Sequence, residues 1–266
     1  MKVAFIQMQP EFGMVKNNIE KALSMIDAEP AELYVLPELF NSGYVFTSQD
    51  EVNNLAENVD DGFTRKTISA FSKNKKIAVI YGFPEKTAEG IYNSCAFIDS
   101  SGSFHLYRKL HLYFDEKKYF LPGNLPLEVF TYENAKIGMM ICFDWIFPEV
   151  ARCLALMNAD IICHPANLVM PFCQEAMKTR SIENCVFTVT ANRIGEEFRG
   201  NSGLKFTGKS QITDVKGNVL YRASDNKEES FSADIMIEKA RRKNINDLNN
   251  LWQDRRVEYY KCLGEI

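Results

Sequence analysis

The chain has 266 residues, of which 46% are hydrophobic and 25% charged, and its net charge is −4. This composition suits a globular enzyme with one large core, and it argues against nucleic acid or an anionic membrane surface as a partner. No Pro/Gly/Ser-rich linker, low-complexity run or internal repeat divides the chain, so residues 1–266 are expected to form a single domain.

The first residues, MKVAFIQMQP, hold too short an apolar stretch for a signal peptide and alternate like a strand over Lys2–Met8. No later apolar run approaches the length of a membrane span. Val15–Ala28 carries Val15, Ile19, Ala22, Leu23 and Ile26 at helical spacing. Leu33–Leu36 reads as a short buried strand ending in Pro37-Glu38, Phe63–Phe71 as a helix and Ile77–Phe83 as a strand. Ser94–Asp99 and Ser103–Leu110 flank the turn at residues 99–102 and predict a hairpin. Ile137, Met139 and Ile141 alternate towards Cys142, and Pro148–Met157 then has proline in the first turn of a helical pattern. Asp160–His164 is a further buried strand and Pro171–Cys185 a helix. Val186–Ala191 and Gln211–Tyr221 return to strands, the latter around a turn at residues 215–218. Residues 245–266 are charged and read as a C-terminal helix or arm that can dock on a partner subunit. Mixed α and β segments in this order predict an α/β layered domain with helices on both outer faces.

Several motifs offer chemistry. Residues 203–210, GLKFTGKS, match the P-loop pattern, but a P-loop needs a strand before it and a helix starting at its Lys-Ser. Residues 196–202 are polar and loop-like, and Gln211-Ile-Thr-Asp-Val215 alternates as a strand, so no nucleotide site is expected. Seven cysteines at irregular spacing in a chain that reads as cytoplasmic are expected to be reduced thiols. Cys163-His164 and Cys173 lie close in sequence, but no metal-ligand spacing repeats, and Cys153, Cys163 and Cys185 read as packing residues. Neither a metal nor a cofactor is implied.

Cys142 stands where a strand ends and before a helix can start, a place for a small core residue or for a nucleophile among unpaired N–H groups. Of the three histidines, His111 would share a strand face with Lys109, an awkward neighbour for an imidazolium, which disfavours a Cys–His pair. Glu38 and Lys109 also sit at the downstream ends of strands. Such ends share one edge of an α/β layer, where clefts form. A desolvated glutamate there can take a thiol proton, and a lysine can hold negative charge developing on oxygen. The competing reading is a Glu–Lys ion pair bracing a helix entry beside a core cysteine, and spacing alone does not separate the two.

Three segments in register resemble the nitrilase superfamily of carbon–nitrogen hydrolases: LPELFNSGY at residues 36–44, YRKLHL at 107–112 and ICFDWIFPE at 141–149. The likeness runs on through His164-Pro-Ala-Asn167 to Thr207-Gly-Lys-Ser-Gln-Ile212, which also explains the false P-loop. The resemblance implies a four-layer α-β-β-α sandwich, usually paired into homodimers or larger homo-oligomers. It assigns Glu38 as general base, Lys109 as oxyanion stabiliser and Cys142 as nucleophile. Glu116 matches a second glutamate of the family that orients the lysine or the substrate. The Phe143 N–H is assigned to the oxyanion, and Asn167 to shaping the substrate pocket.

Phe143-Asp144 after the cysteine is similar to the amidase and N-carbamoyl branches, whereas nitrilases proper tend to have Trp-Glu. Trp145-Ile146 replaces the arginines with which hydrolases of N-carbamoyl-D-amino acids clamp a carboxylate, and suggests a more apolar wall. The Phe147–Glu149 ending keeps N-carbamoyl polyamines open as a substrate class. The expectation is therefore a thiol amidohydrolase for a small linear amide or N-carbamoyl amine. The alternatives are a nitrilase acting on small nitriles and a catalytically silent binding protein on the same fold.

Overall fold

A computed structural model describes residues 1–200 and 202–264. In chain order, β1 (Lys2–Gln7) leads through α1 (Val15–Ala28) to β2 (Leu33–Val35), then α2 (Gln49–Leu55), β3 (Glu57–Asn58) and α3 (Phe63–Lys75). The long antiparallel strands β4 (Ala78–Lys86) and β5 (Ile91–Ile98) follow, with β6 (Phe104–Arg108) and the short α4 (Glu116–Tyr119). The second half holds β7 (Val129–Tyr132), β8 (Ala135–Met139), a 3-10 turn (Cys142–Ile146), α5 (Pro148–Leu156), β9 (Ile161–Pro165), α6 (Cys173–Asn184) and β10 (Phe187–Ala191). It closes with β11 (Glu196–Arg199), β12 (Ser202–Lys205), β13 (Gln211–Thr213), β14 (Val219–Arg222), β15 (Glu229–Asp234) and α7 (Glu238–Arg241).

Among the described residues the strands make two large sheets. One runs β15-β1-β2-β4-β5-β6 with β3 on β4, and the other runs β14-β13-β10-β9-β8-β7. Alternation along the strands decides what each face meets. In β1, Val3 and Phe5 point into the core between the sheets, while Ala4 and Ile6 pack outwards with Ile19, Ala22 and Ile26 of α1 and Ile68 of α3. Across the core, Ile137 and Met139 of β8, Ile161 and Cys163 of β9 and Val189 of β10 meet that inner face. Val150, Leu154 and Met177, from α5 and α6, cover the far side of the second sheet. Strands buried on both faces read as continuous apolar runs, which is why Ala78–Tyr81 and Ile161–Cys163 look uniformly hydrophobic. The result is the expected α-β-β-α sandwich.

Two expectations need correction. The residues before the false P-loop are not loop-like: Glu196–Lys205 forms the β11–β12 hairpin, except for Asn201, which lies outside the described residues. A two-stranded ribbon whose covered face is held by polar contacts, as Glu197 holds the Tyr44 and Val45 N–H groups, needs little apolar sequence. After Ser210 the chain enters β13 rather than a helix, so the phosphate-binding geometry is missing there. Of the two readings of the tail, the arm fits the described residues: 245–264 follow turns and two short 3-10 segments, and Ile245, Leu248 and Leu263 are exposed. Residues 265 and 266 of that arm lie outside the described residues. Finally, His111 is not on a strand with Lys109, because β6 ends at Arg108. Among the described residues, no helix is long and apolar enough to cross a membrane.

Candidate active site

Glu38 reaches the site because β2 stops at Val35 and the chain passes over β4. The Gly82 N–H donates to the Pro37 carbonyl at 3.3 Å, and the Phe40 N–H donates to the Gly82 carbonyl at 3.2 Å. Leu39 takes a left-handed conformation, φ +47°, that turns the chain away again. Lys109 is the residue directly after β6, and its N–H still donates to the Asn93 carbonyl of β5 at 2.8 Å. Gly123 packs against this backbone: a Cβ there would lie 2.2 Å from the Arg108 carbonyl oxygen, so only glycine fits.

Cys142 comes after β8 has ended. Its φ of +41° is unusual for a non-glycine residue and stores strain of about 1–3 kcal/mol, so the surroundings must over-determine it. They do so through Asp144, which is fully buried. One carboxylate oxygen accepts from the Ile141 N–H at 2.9 Å and the Tyr107 hydroxyl at 2.7 Å. The other faces the His111 N–H at 3.2 Å and His111 Nδ1 at 2.8 Å. From below, His164 Nε2 lies 2.9 Å from the Cys142 carbonyl oxygen. Burial pushes the His164 pKa down to about 4, so the ring is neutral at pH 7 and its Nε2–H is the donor.

The side chains then converge. Lys109 Nζ donates to Glu38 Oε1 and to Glu116 Oε1, each at 2.7 Å. Asn93 Nδ2 also donates to Glu38 Oε1, at 2.7 Å. Glu38 Oε2 is buried with no hydrogen-bond partner among the described residues. The Tyr44 hydroxyl donates to Glu116 Oε1 and the Tyr113 N–H donates to Glu116 Oε2, fixing that carboxylate from the other side. Asn167 Nδ2 donates to the Glu38 carbonyl at 2.8 Å. Tyr44 is itself braced, since Glu197 accepts from its N–H at 3.0 Å and is paired with Arg193 at 2.6 Å.

Burial dominates the electrostatics. It would strip the proton from Lys109, but the Glu116 and Glu38 carboxylates outweigh it and raise the pKa, so the ammonium stays charged. Burial also pushes the Cys142 thiol well up; Glu38 and Glu116 add to that, and Lys109 and the Asn167 N–H oppose it. The resting sulfur is therefore protonated. The Glu116 pKa is pushed up to about 6 by burial and by Glu38, against the pull of Lys109 and Tyr44.

The structure thus brings together Glu38, Lys109, Glu116, Cys142 and Asn167, with the Phe143 N–H at the opening of a turn where such groups have no partner within it. Beside them lies a cavity of about 460 Å³ that includes Tyr44, Tyr113 and Glu116 in its lining. The Tyr113 ring packs on Phe143 at 5.1 Å between centroids, so the cavity wall abuts the cysteine turn. The expected Trp145–Ile146 wall is absent from that lining: Trp145 is buried in the core and Ile146 is exposed. Cys163 is buried as expected, whereas Cys185 is only partly covered and Cys153 is exposed. Asn93, Tyr44, Asp144 and His164 escaped the sequence reading. Tyr44 and Asp144 lay inside quoted segments, and the signal was a polar group flanked by apolar ones.

The family model for carbon–nitrogen hydrolase matches residues 2–244. A nitrilase of Pyrococcus abyssi is 44% identical over 263 residues, which are 98% of this chain and 99% of that protein. An N-carbamoylputrescine amidase of Solanum lycopersicum is 30% identical, over 94% of this chain and 90% of that protein. The crystal structure of a carbon–nitrogen hydrolase from Helicobacter pylori G27 superposes with a TM-score of 0.89 at 26% identity, covering 100% of this chain and 98% of that one. These matches settle the membership: this chain belongs to the carbon–nitrogen hydrolase family, whose enzymes break bonds between carbon and nitrogen.

Proposed function

We propose that the chain is a thiol amidohydrolase that cleaves the non-peptide carbon–nitrogen bond of a small linear amide or N-carbamoyl amine. One observation carries this reading: a buried carboxylate, Glu38, has one oxygen held by Lys109 and Asn93 and the other unpaired, near a protonated, strained Cys142. A thiol with a raised pKa cannot be a standing thiolate, so a base must act as it attacks. Glu38 Oε2 takes the Sγ proton while sulfur bonds to the carbonyl carbon. The Lys109 ammonium has three donors, two of them on Glu38 and Glu116, which leaves one for the developing oxyanion. The Phe143 N–H is the second donor, and such preorganised donors contribute about 3 kcal/mol each to lowering the barrier. The carbon–nitrogen bond then breaks, and Glu38 returns the proton to the leaving ammonia or amine. Water attacks the thioester, again giving its proton to Glu38, and the acid departs as the thiol is restored. Glu116 positions Lys109, and Asn167 steadies the Glu38 backbone.

Cys142→Ala tests this directly. Ammonia release from a panel of amides should vanish while circular dichroism stays unchanged; retained turnover would refute the role. Mass spectrometry of wild-type protein after brief incubation with substrate should show one acyl group on Cys142.

The second reading, a nitrilase, is favoured by the name of the Pyrococcus abyssi relative. It predicts acid formation from aliphatic nitriles faster than from the matching amides. To the proposal also belong one hydrolase domain over residues 1–266 with 245–266 as an arm, a homodimer or larger homo-oligomer, and a cytoplasmic setting. Light scattering on purified protein tests the assembly.

A further inference from the structure

The cavity that shares Tyr44 and Glu116 with the site is rich in rings, and among the described residues each charged side chain of its lining has a partner. Phe46, Tyr113, Phe114, Tyr119 and Phe120 line it, with Leu204 contributed by the β11–β12 hairpin. Its charged lining residues are Asp115, Glu116 and Lys118. Asp115 and Lys118 neutralise each other at 2.7 Å, and Glu116 is held by Lys109 and Tyr44. Near the lining, Arg193 pairs with Glu197 at 2.6 Å, Arg199 with Glu51 at 2.7 Å and Lys205 with Glu196 at 3.1 Å, while Lys109 lies between Glu38 and Glu116 with its third donor directed to the proposed oxyanion. Phe114 adds a second observation. It holds a left-handed conformation, φ +46°, that a bulky residue rarely adopts, and the residue is 70% exposed while contributing to the cavity lining. Such strain is characteristic of ligand clamps.

A substrate carboxylate or ammonium moved from water into this space would lose its hydration and meet rings instead of a counter-ion. An apolar group gains by the same transfer. From this we infer that the cavity is the acyl pocket for uncharged, apolar amides, aromatic acyl groups included, and that Phe114 and Leu204 determine this preference. The inference rests on the proposed Cys142 chemistry and narrows its substrate class. The volume of about 460 Å³ lies within the range of small-molecule sites.

The experiment compares amides of matched length on wild-type protein: hexanamide, adipamic acid and 6-aminohexanamide, with phenylacetamide and acetamide alongside. Ammonia release should give hexanamide and phenylacetamide a kcat/KM about a hundredfold above both charged analogues. Phe114→Ala should shrink the ratio of hexanamide to acetamide by about tenfold. Leu204→Arg should raise adipamic acid relative to hexanamide. Calorimetric affinities of the same compounds for Cys142→Ala protein should follow the same order without any turnover. Equal or better use of either charged analogue, or an unchanged ratio in Phe114→Ala, would overturn the inference. Preference for 6-aminohexanamide would mean that the rings act as a cation-binding cage. By contrast, ordered affinities with no turnover of any amide and no adduct on Cys142 would sink the chemical reading and leave the pocket's preference standing.

Discussion

Gly82 leaves no room beneath Glu38: a Cβ at position 82 would lie 2.7 Å from the Glu38 Cα and 2.7 Å from the Leu39 nitrogen. Both neighbours are backbone, so neither can step aside cheaply. Gly82→Ala must lift the residue that carries the proposed base. The expected loss in kcat is about 10–100-fold, with a stability cost of about 1–3 kcal/mol from overpacking. Ammonia release and thermal melting check the two numbers; full activity would mean that Glu38 need not sit where it does.

Glu116 ties activity to pH. Its carboxyl is raised from 4.5 to about 6 in the folded chain. It therefore binds its proton more tightly folded than unfolded, so its stabilising contribution is present below about 4.5 and is lost as pH rises through about 6. Activity should run the other way, because only the ionised carboxylate accepts from Lys109 without offering a competing proton. The acid limb of kcat/KM is expected to have its midpoint near pH 6, and Glu116→Gln should flatten that limb while lowering kcat about tenfold or more.

Tyr44 holds that same carboxylate down, since its hydroxyl favours the ionised form. In Tyr44→Phe the Glu116 pKa should rise, moving the acid limb to higher pH, with kcat at neutral pH falling more than KM changes. A merely structural role for the ring would leave the limb in place. Loss of Glu197, which anchors the Tyr44 N–H, should reproduce the shift in weaker form.

Asp144→Asn tests the clamp on the strained turn. The amide cannot accept from Ile141, Tyr107 and His111 as the carboxylate does. Stability should fall by about 1–3 kcal/mol. If the turn then relaxes, the rate of iodoacetamide labelling at Cys142 should change while that of the exposed Cys153 stays the same. Identical labelling of both thiols in variant and wild type would show that Asp144 does not set the turn.

Local pattern made much of this molecule legible. The five apolar positions read for α1 face the core or pack against it, and the cysteine stands one short step past its strand. Pro148 opens α5 as expected. Legibility ends where partners are remote in sequence. Tyr44 meets Glu197 and Glu116 from 153 and 72 positions away, and no periodicity encodes such a meeting. His111 leaves the strand pattern because β6 ends at Arg108 and the His111 N–H and Nδ1 turn to Asp144, a partner 33 positions on. In the tail, asparagine side chains accept from local backbone N–H groups, as Asn246 and Asn250 do, and so compete with a helix.

The enclosure of Lys109 between two acids has one last chemical implication. An acyl group parked on sulfur within electrostatic reach of a primary amine invites migration onto nitrogen, and the resulting secondary amide would be permanent. An amine attacks only through its lone pair. In the proposed mechanism Glu38 and Glu116 keep that pair occupied by a proton, so the lysine would stand beside the acyl-sulfur intermediate without being acylated.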